Sequence, residues 1–151
     1  MKVDLSYQLE DPPQGLPSEE DLCSFIQQLL TDPVFGSLSE DSCLSVALID
    51  KKSIQALNHH YRSKDYPTDV LSFVSNEQTP QGFLWGEILI SPDMALINAT
   101  DNKHSLQKEI KILLTHGMLH LLGFDHENEE KAHIMQNLES MLFNSYYRGD
   151  Q

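Results

Sequence analysis

The sequence predicts a small α+β fold in a single domain, and three observations carry that expectation. Val3, Leu5, Tyr7 and Leu9 alternate with polar residues, the period of a strand buried on one face. Cys43 to Ile49 is a short apolar run of the length expected for a buried strand. Leu22, Phe25, Ile26 and Leu29, and later Leu106, Ile110, Leu113 and Leu114, recur at spacings of three and four, which lines each set along one side of a helix. A chain of 151 residues is one domain by length, residues 1–151, and can bury a core without staples. Helices and strands in this mixture imply a small mixed sheet of about four strands with flanking helices.

After the first strand, Pro12, Pro13, Gly15 and Pro17 break the chain into a loop. Ser18-Glu19-Glu20-Asp21 reads as a capped helix start with acids in its first turn. Leu22 to Leu30 supply its buried face, and Pro33 and Gly36 lie beyond its end. The Cys43–Ile49 strand is followed by Asp50, placed to cap a helix with Ile54, Leu57 and Tyr61 on one side. Val70 to Val74 and Trp85 to Ile90 form two further strands, separated by Pro80 and Gly82. Ser91-Pro92 opens the next helix, since proline at the first helical position loses no needed N–H. Ser105 to Leu122 is the longest helical pattern, and Gly123 can end it in a left-handed conformation. A final helix runs from Glu129 to Tyr146 on Met135, Leu138, Met141 and Leu142, and Arg148 to Gln151 reads as a frayed tail.

The composition, 40% hydrophobic and 22% charged, is ordinary for a water-soluble domain. No run approaches the ~18 apolar residues of a membrane span, so no membrane partner is expected. The start, MKVDLSYQLEDPP, lacks the apolar centre of a secretory leader, so a cytoplasmic location is expected. Cys23 and Cys43 fit no metal spacing and read as small core residues in a reducing compartment. The net charge of −13 repels nucleic acid at long range, so any RNA contact requires a local basic patch, and DNA is not expected as a partner.

Chemistry concentrates in His116-Gly117-Met118-Leu119-His120-Leu121-Leu122-Gly123-Phe124-Asp125-His126. Positions four apart lie one turn apart on one helix face, so His116 and His120 can aim at one point. Gly123 ends the helix, and the returning loop can deliver His126 as a third ligand. Three imidazoles leave a tetrahedral ion one open position, the arrangement of a catalytic zinc site; one Zn2+ per chain is expected, although nickel and copper suit imidazole too. His59, His60, His104 and His133 lack this geometry and read as ordinary polar residues. The histidine spacing also occurs in zinc peptidases, where a glutamate follows the first histidine as general base. Gly117 stands there and can accept no proton.

This block closely resembles the H-G-x-L-H-L-x-G-[YF]-D-H signature of the YbeY family of bacterial rRNA maturation endoribonucleases. Upstream, Leu57-Asn58, Tyr61-Arg62 and Pro67-Thr68-Asp69-Val70-Leu71-Ser72-Phe73 are similar to that family's L-N-x-x-[YF]-R…P-T-D-V-L-S-F-P block. Gly86-Glu87-Ile88-Leu89-Ile90-Ser91 is similar to its G-D-I-x-I-S/C strand. The matches span residues 44 to 145 in the same order. Two departures stand out: Glu87 replaces the family's aspartate, and Val74 follows Phe73 where proline is common.

The resemblance implies a single-strand-specific, metal-dependent endoribonuclease that matures the 3′ end of 16S rRNA and acts in ribosome quality control. It implies single-stranded RNA, the 16S rRNA precursor, as the partner, with small-subunit ribosomal proteins as further contacts. It places the metal ligands at His116, His120 and His126, and the catalytic residues at Arg62 and His116. The guanidinium of Arg62 suits a phosphate; a surface ion pair with Asp65 is the plainer alternative. Asp125 can orient a histidine, act as a base or shape the helix end. Asp69 can line the cleft or begin a strand, Ser72 reads as a strand residue, and the general base stays open. Lys51, Lys52, Arg62 and Lys64, with Lys103, Lys108 and Lys111, can form a phosphate-binding strip or be solvated helix faces. Two other functions compete with the nuclease: a ribosome-assembly protein with a mainly structural zinc, and a zinc peptidase.

Overall fold

The computed structural model describes residues 1–148, so the tail expected over Arg148–Gln151 lies outside the described residues from Gly149 onward. The elements run β1 (Lys2–Gln8), α1 (Glu19–Leu30), a 3-10 turn (Pro33–Phe35), β2 (Ser42–Ile49), α2 (Lys51–Arg62), β3 (Val70–Thr79), β4 (Gly82–Ile90), α3 (Pro92–Asp101), α4 (Leu106–Leu121) and α5 (Glu129–Tyr146). The strands form one sheet in the order β1-β2-β4-β3. β1, β2 and β4 are parallel neighbours and β3 returns antiparallel at the edge. This is the small mixed-sheet α+β fold that the sequence predicts.

Strand register divides the layers. Val3, Leu5 and Tyr7 pair with Leu44, Val46 and Leu48, and these share one face with Ile88 and Ile90. That face packs against Leu22, Phe25 and Ile26 of α1, Ile110, Leu114 and Met118 of α4, and Met135 and Leu142 of α5. The opposite face carries Ala47, Ile49, Leu71, Phe73 and Leu89, and packs against Ile54 and Leu57 of α2. Val70, Ser72 and Val74 therefore face α4, whereas Leu71 and Phe73 face α2.

Helix ends follow the sequence signals closely. Ser18, Ser91 and Ser105 each accept a bond from a first-turn N–H, as N-caps do. Asp50 occupies the cap position of α2 but makes no side-chain cap bond. Gly123 adopts φ +105, its N–H bonds to the His120 carbonyl and the Phe124 N–H to that of Leu119. That is a Schellman turn, and it throws the chain back toward α4.

The β3–β4 hairpin is longer than predicted. β3 continues from Val74 to Thr79 and β4 begins at Gly82. Val74 pairs with Gly86, and a bulge follows before Glu77, with Asn76 at φ 48. Ser75 to Gln78 are polar, so their strand is held by ladder bonds at a sheet edge and leaves no hydrophobic period to read.

Candidate metal centre

His116 and His120 project one turn apart from α4, and the Schellman turn at Gly123 brings His126 to them. The imidazole centroids are 4.5 Å apart for His116 and His120, and 5.0 Å for each of the other two pairs. His116 Nε2 and His120 Nε2 face each other at 3.0 Å, and one ligand atom from each of the three rings lies within 4.8 Å of the others. Three converging imidazoles can hold a metal ion, and they suit zinc, nickel or copper. His116 and His120 are half-buried and His126 is exposed, so the cluster faces solvent on one side. Burial lowers the pKa of His120 below its ordinary 6.5. The neighbouring His116 and His126 push the same way, Glu139 opposes them, and Arg62 adds to the lowering. The lowering favours the neutral ring, the form that can ligate.

The cluster forms one wall of a cleft of about 400 Å³ also lined by Arg62, Asp69, Val70, Ser72, Val74 and Leu121. Arg62 is the last residue of α2. It is exposed and forms no ion pair among the described residues. Asp65 instead accepts a bond from Gln55 Nε2 at 3.2 Å, so the Arg62–Asp65 pair is not formed. The loop from Arg62 to β3 is tied down by the buried Asn58, whose Nδ2 donates to the Tyr66 carbonyl at 2.9 Å. Asp69 lines the cleft and its Oδ2 accepts from Asn98 Nδ2 at 2.9 Å. Asp125 accepts from the Glu127 N–H at 3.0 Å, which shapes the turn carrying His126 and is a local role.

Gly117 is buried at the point where α4 meets the sheet. A Cβ there would lie 3.0 Å from Ser72 Oγ and 3.1 Å from Ile88 methyl carbons. The position where a peptidase carries its base thus faces the sheet. Close helix–sheet approach accounts for the glycine.

Two residues stand differently from their sequence reading. Lys111 does not join a cationic strip: it is 2% exposed, its Nζ lies 2.9 Å from Asp21 Oδ2, and it sits between the rings of Phe25 and Tyr147. Glu139, absent from the sequence reading, bonds to Nδ1 of His116 from α5. A signal for it exists in the sequence: Glu139 lies four residues after Met135 and three before Leu142, both fully buried, so a carboxylate stands within the apolar stripe of that helix. Of the other histidines, His104 pairs with Glu109 at 2.7 Å at the start of α4, while His59, His60 and His133 are exposed. Glu87 pairs across from Phe73, on the α2 face, away from the cleft.

The fold and site together define an α+β protein with an open, histidine-built candidate metal centre that shares its cleft with a guanidinium unpaired among the described residues. No helix among the described residues is long and apolar enough to cross a membrane. The profile of the endoribonuclease YbeY family matches residues 11–147, and the chain belongs to that family. Proteins named endoribonuclease YbeY are similar over most of its length. That of Carboxydothermus hydrogenoformans is 37% identical over 134 residues, 87% of this chain and 93% of the relative. That of Syntrophomonas wolfei is 40% identical over 114 residues, 70% and 73% of the two chains. A solution structure of a Thermotoga maritima protein superposes with a TM-score of 0.57 at 25% identity, covering 95% of this chain and 91% of that one.

Proposed function

We propose that this chain is a metal-dependent endoribonuclease of rRNA processing, and that the cleft lined by Arg62 at the end of α2, by β3 and by the histidines of α4 is its active site. One observation carries the reading: Arg62, which has no ion-pair partner among the described residues, lines the same polar cleft as His116, His120 and His126. His116, His120 and His126 hold the metal, one zinc ion per chain. Bound there, a divalent ion supplies Lewis-acid polarisation of a phosphate oxygen and a lowered pKa for bound water. Arg62 places its planar fork against a phosphodiester and balances the charge that develops as the bond breaks. His126 is exposed at the edge of the cleft, so an RNA strand can reach the cluster from solvent. Family membership extends the reading to single-stranded rRNA precursors, including the 3′ end of 16S rRNA, to quality control of ribosomes, and to small-subunit ribosomal proteins as contacts.

The competing readings fare less well. A structural zinc usually takes four protein ligands, and the described residues offer three in this cluster. A peptidase base has no place at Gly117, which packs on the sheet. Cleavage of a single-stranded RNA oligonucleotide by wild type and Arg62→Ala, with metal content measured on both, tests the proposal. Loss of a phosphate-stabilising group is expected to slow cleavage by about 10²–10³ with metal content unchanged. Equal cleavage by the two proteins would reject the assignment of Arg62.

A further inference from the structure

We infer that Glu139 is a positioning residue for the metal centre: from α5 it fixes the ring of His116 so that Nε2 is turned into the cluster. The inference rests on the reading of the three histidines as a metal site. Its starting point is the bond between Glu139 Oε1 and His116 Nδ1. An ionised carboxylate only accepts, so Nδ1 must carry the proton, and the neutral ring then keeps its lone pair on Nε2. Nε2 is the atom that faces His120 Nε2 at 3.0 Å. The tautomer and the aim of the ring are thus set by one carboxylate. His120 and His126 have no such carboxylate partner among the described residues.

The placement of Glu139 is itself determined by packing. Met135 and Leu142, on the same stripe of α5, are fully buried in the main core, and this turns position 139 toward α4. The side chains of His116 and Glu139 are 24% and 26% exposed, so water competes weakly for their bond. Glu139 has no lysine or arginine partner among the described residues; His116 is its ionic contact. Glu139 is not among the residues of the ligand cluster, and it meets His116 on the ring atom opposite the cluster. A carboxylate behind a ligating imidazole both orients the ring and raises its basicity, and losing it typically weakens metal binding by 10–100-fold. Docking of the C-terminal helix and metal affinity are therefore coupled through this one bond.

The alternative is that Glu139 merely ties α5 to α4. Zinc titrations of wild type, Glu139→Gln, Glu139→Ala and His116→Ala against a chromophoric chelator separate the two, with unfolding of each metal-free protein recorded alongside. Glu139→Gln keeps a carbonyl acceptor for the Nδ1 proton but loses the charge, so about a 10-fold weaker affinity is expected; Glu139→Ala loses both, and about 100-fold is expected. In proton spectra of the zinc-loaded proteins, the low-field His116 Nδ1–H signal is expected in wild type and Glu139→Gln and absent from Glu139→Ala. Wild-type zinc affinity in either folded variant overturns the inference, even if metal-free stability falls. Retention of zinc by His116→Ala would instead overturn the metal reading beneath it.

Discussion

At the scale of single residues, Gly117 separates this site from a zinc peptidase. Its lack of a base is visible in the sequence; its reason is not, because the sequence does not report how closely α4 approaches Ser72 and Ile88. Gly117→Glu is expected to destabilise the fold by about 3 kcal/mol through overpacking and a buried unpaired carboxylate. Thermal unfolding checks this, and an unchanged midpoint would mean the helix has room to spare. The three histidines were legible because two share a helical period and a glycine stop precedes the third. Glu139 lies 23 residues after His116 on a different helix, and periodicity within one helix says nothing about what faces it.

At the scale of elements, strands with a buried face were legible and edge pairing was not. The α2 face of the sheet is covered by one helix anchored on Ile54 and Asn58, and that helix delivers Arg62. A lysine in a helical pattern predicts a surface charge at Lys111, yet α4 is buried on most sides, with Ile110, Leu113, Leu114, Met118, Leu119 and Leu121 all in the core. Such a helix has little solvent face to offer a lysine, and Lys111 finds Asp21 and two aromatic rings instead. The β1–α1 connection is pinned by Tyr7, whose hydroxyl donates to the Pro17 carbonyl at 2.7 Å. Burial, then the charges of Glu19, Asp21 and Cys23, push the Tyr7 pKa from 10.0 up to about 12. A folded-state value raised above the unfolded one means the neutral phenol is favoured by the fold. Its stabilisation is complete below pH 10 and is lost as pH rises through about 12. Tyr7→Phe is expected to cost about 1 kcal/mol near neutral pH and to unfold with less alkaline dependence than wild type in urea. Parallel losses in the two proteins across that range would contradict this role.

At the scale of the whole molecule, an acidic body must present RNA with a basic surface. Four of the ten lysines and arginines lie within residues 51–64, a stretch with no acidic residue. Lys51, Lys52, Arg62 and Lys64 are all exposed, the first three on the helix that ends at the cleft and Lys64 just past its end. Of Lys103, Lys108 and Lys111, the last is buried in the core. α2 is therefore the surface where a single strand is expected to lie. Charge reversal at Lys51 and Lys52 together should reduce the salt dependence of RNA binding by about 1.4 in log–log slope, about 0.7 per phosphate contact. An unchanged slope would place the strand elsewhere. The central claim is that His116, His120 and His126 form the metal centre on which RNA cleavage depends. Metal content and single-stranded RNA cleavage, measured together on wild type, chelator-stripped and zinc-restored wild type, and His116→Ala, test it most directly. The expected result is one zinc per wild-type chain, cleavage lost on stripping and regained with zinc, and neither metal nor cleavage in His116→Ala; full metal or full cleavage in that variant would contradict the claim.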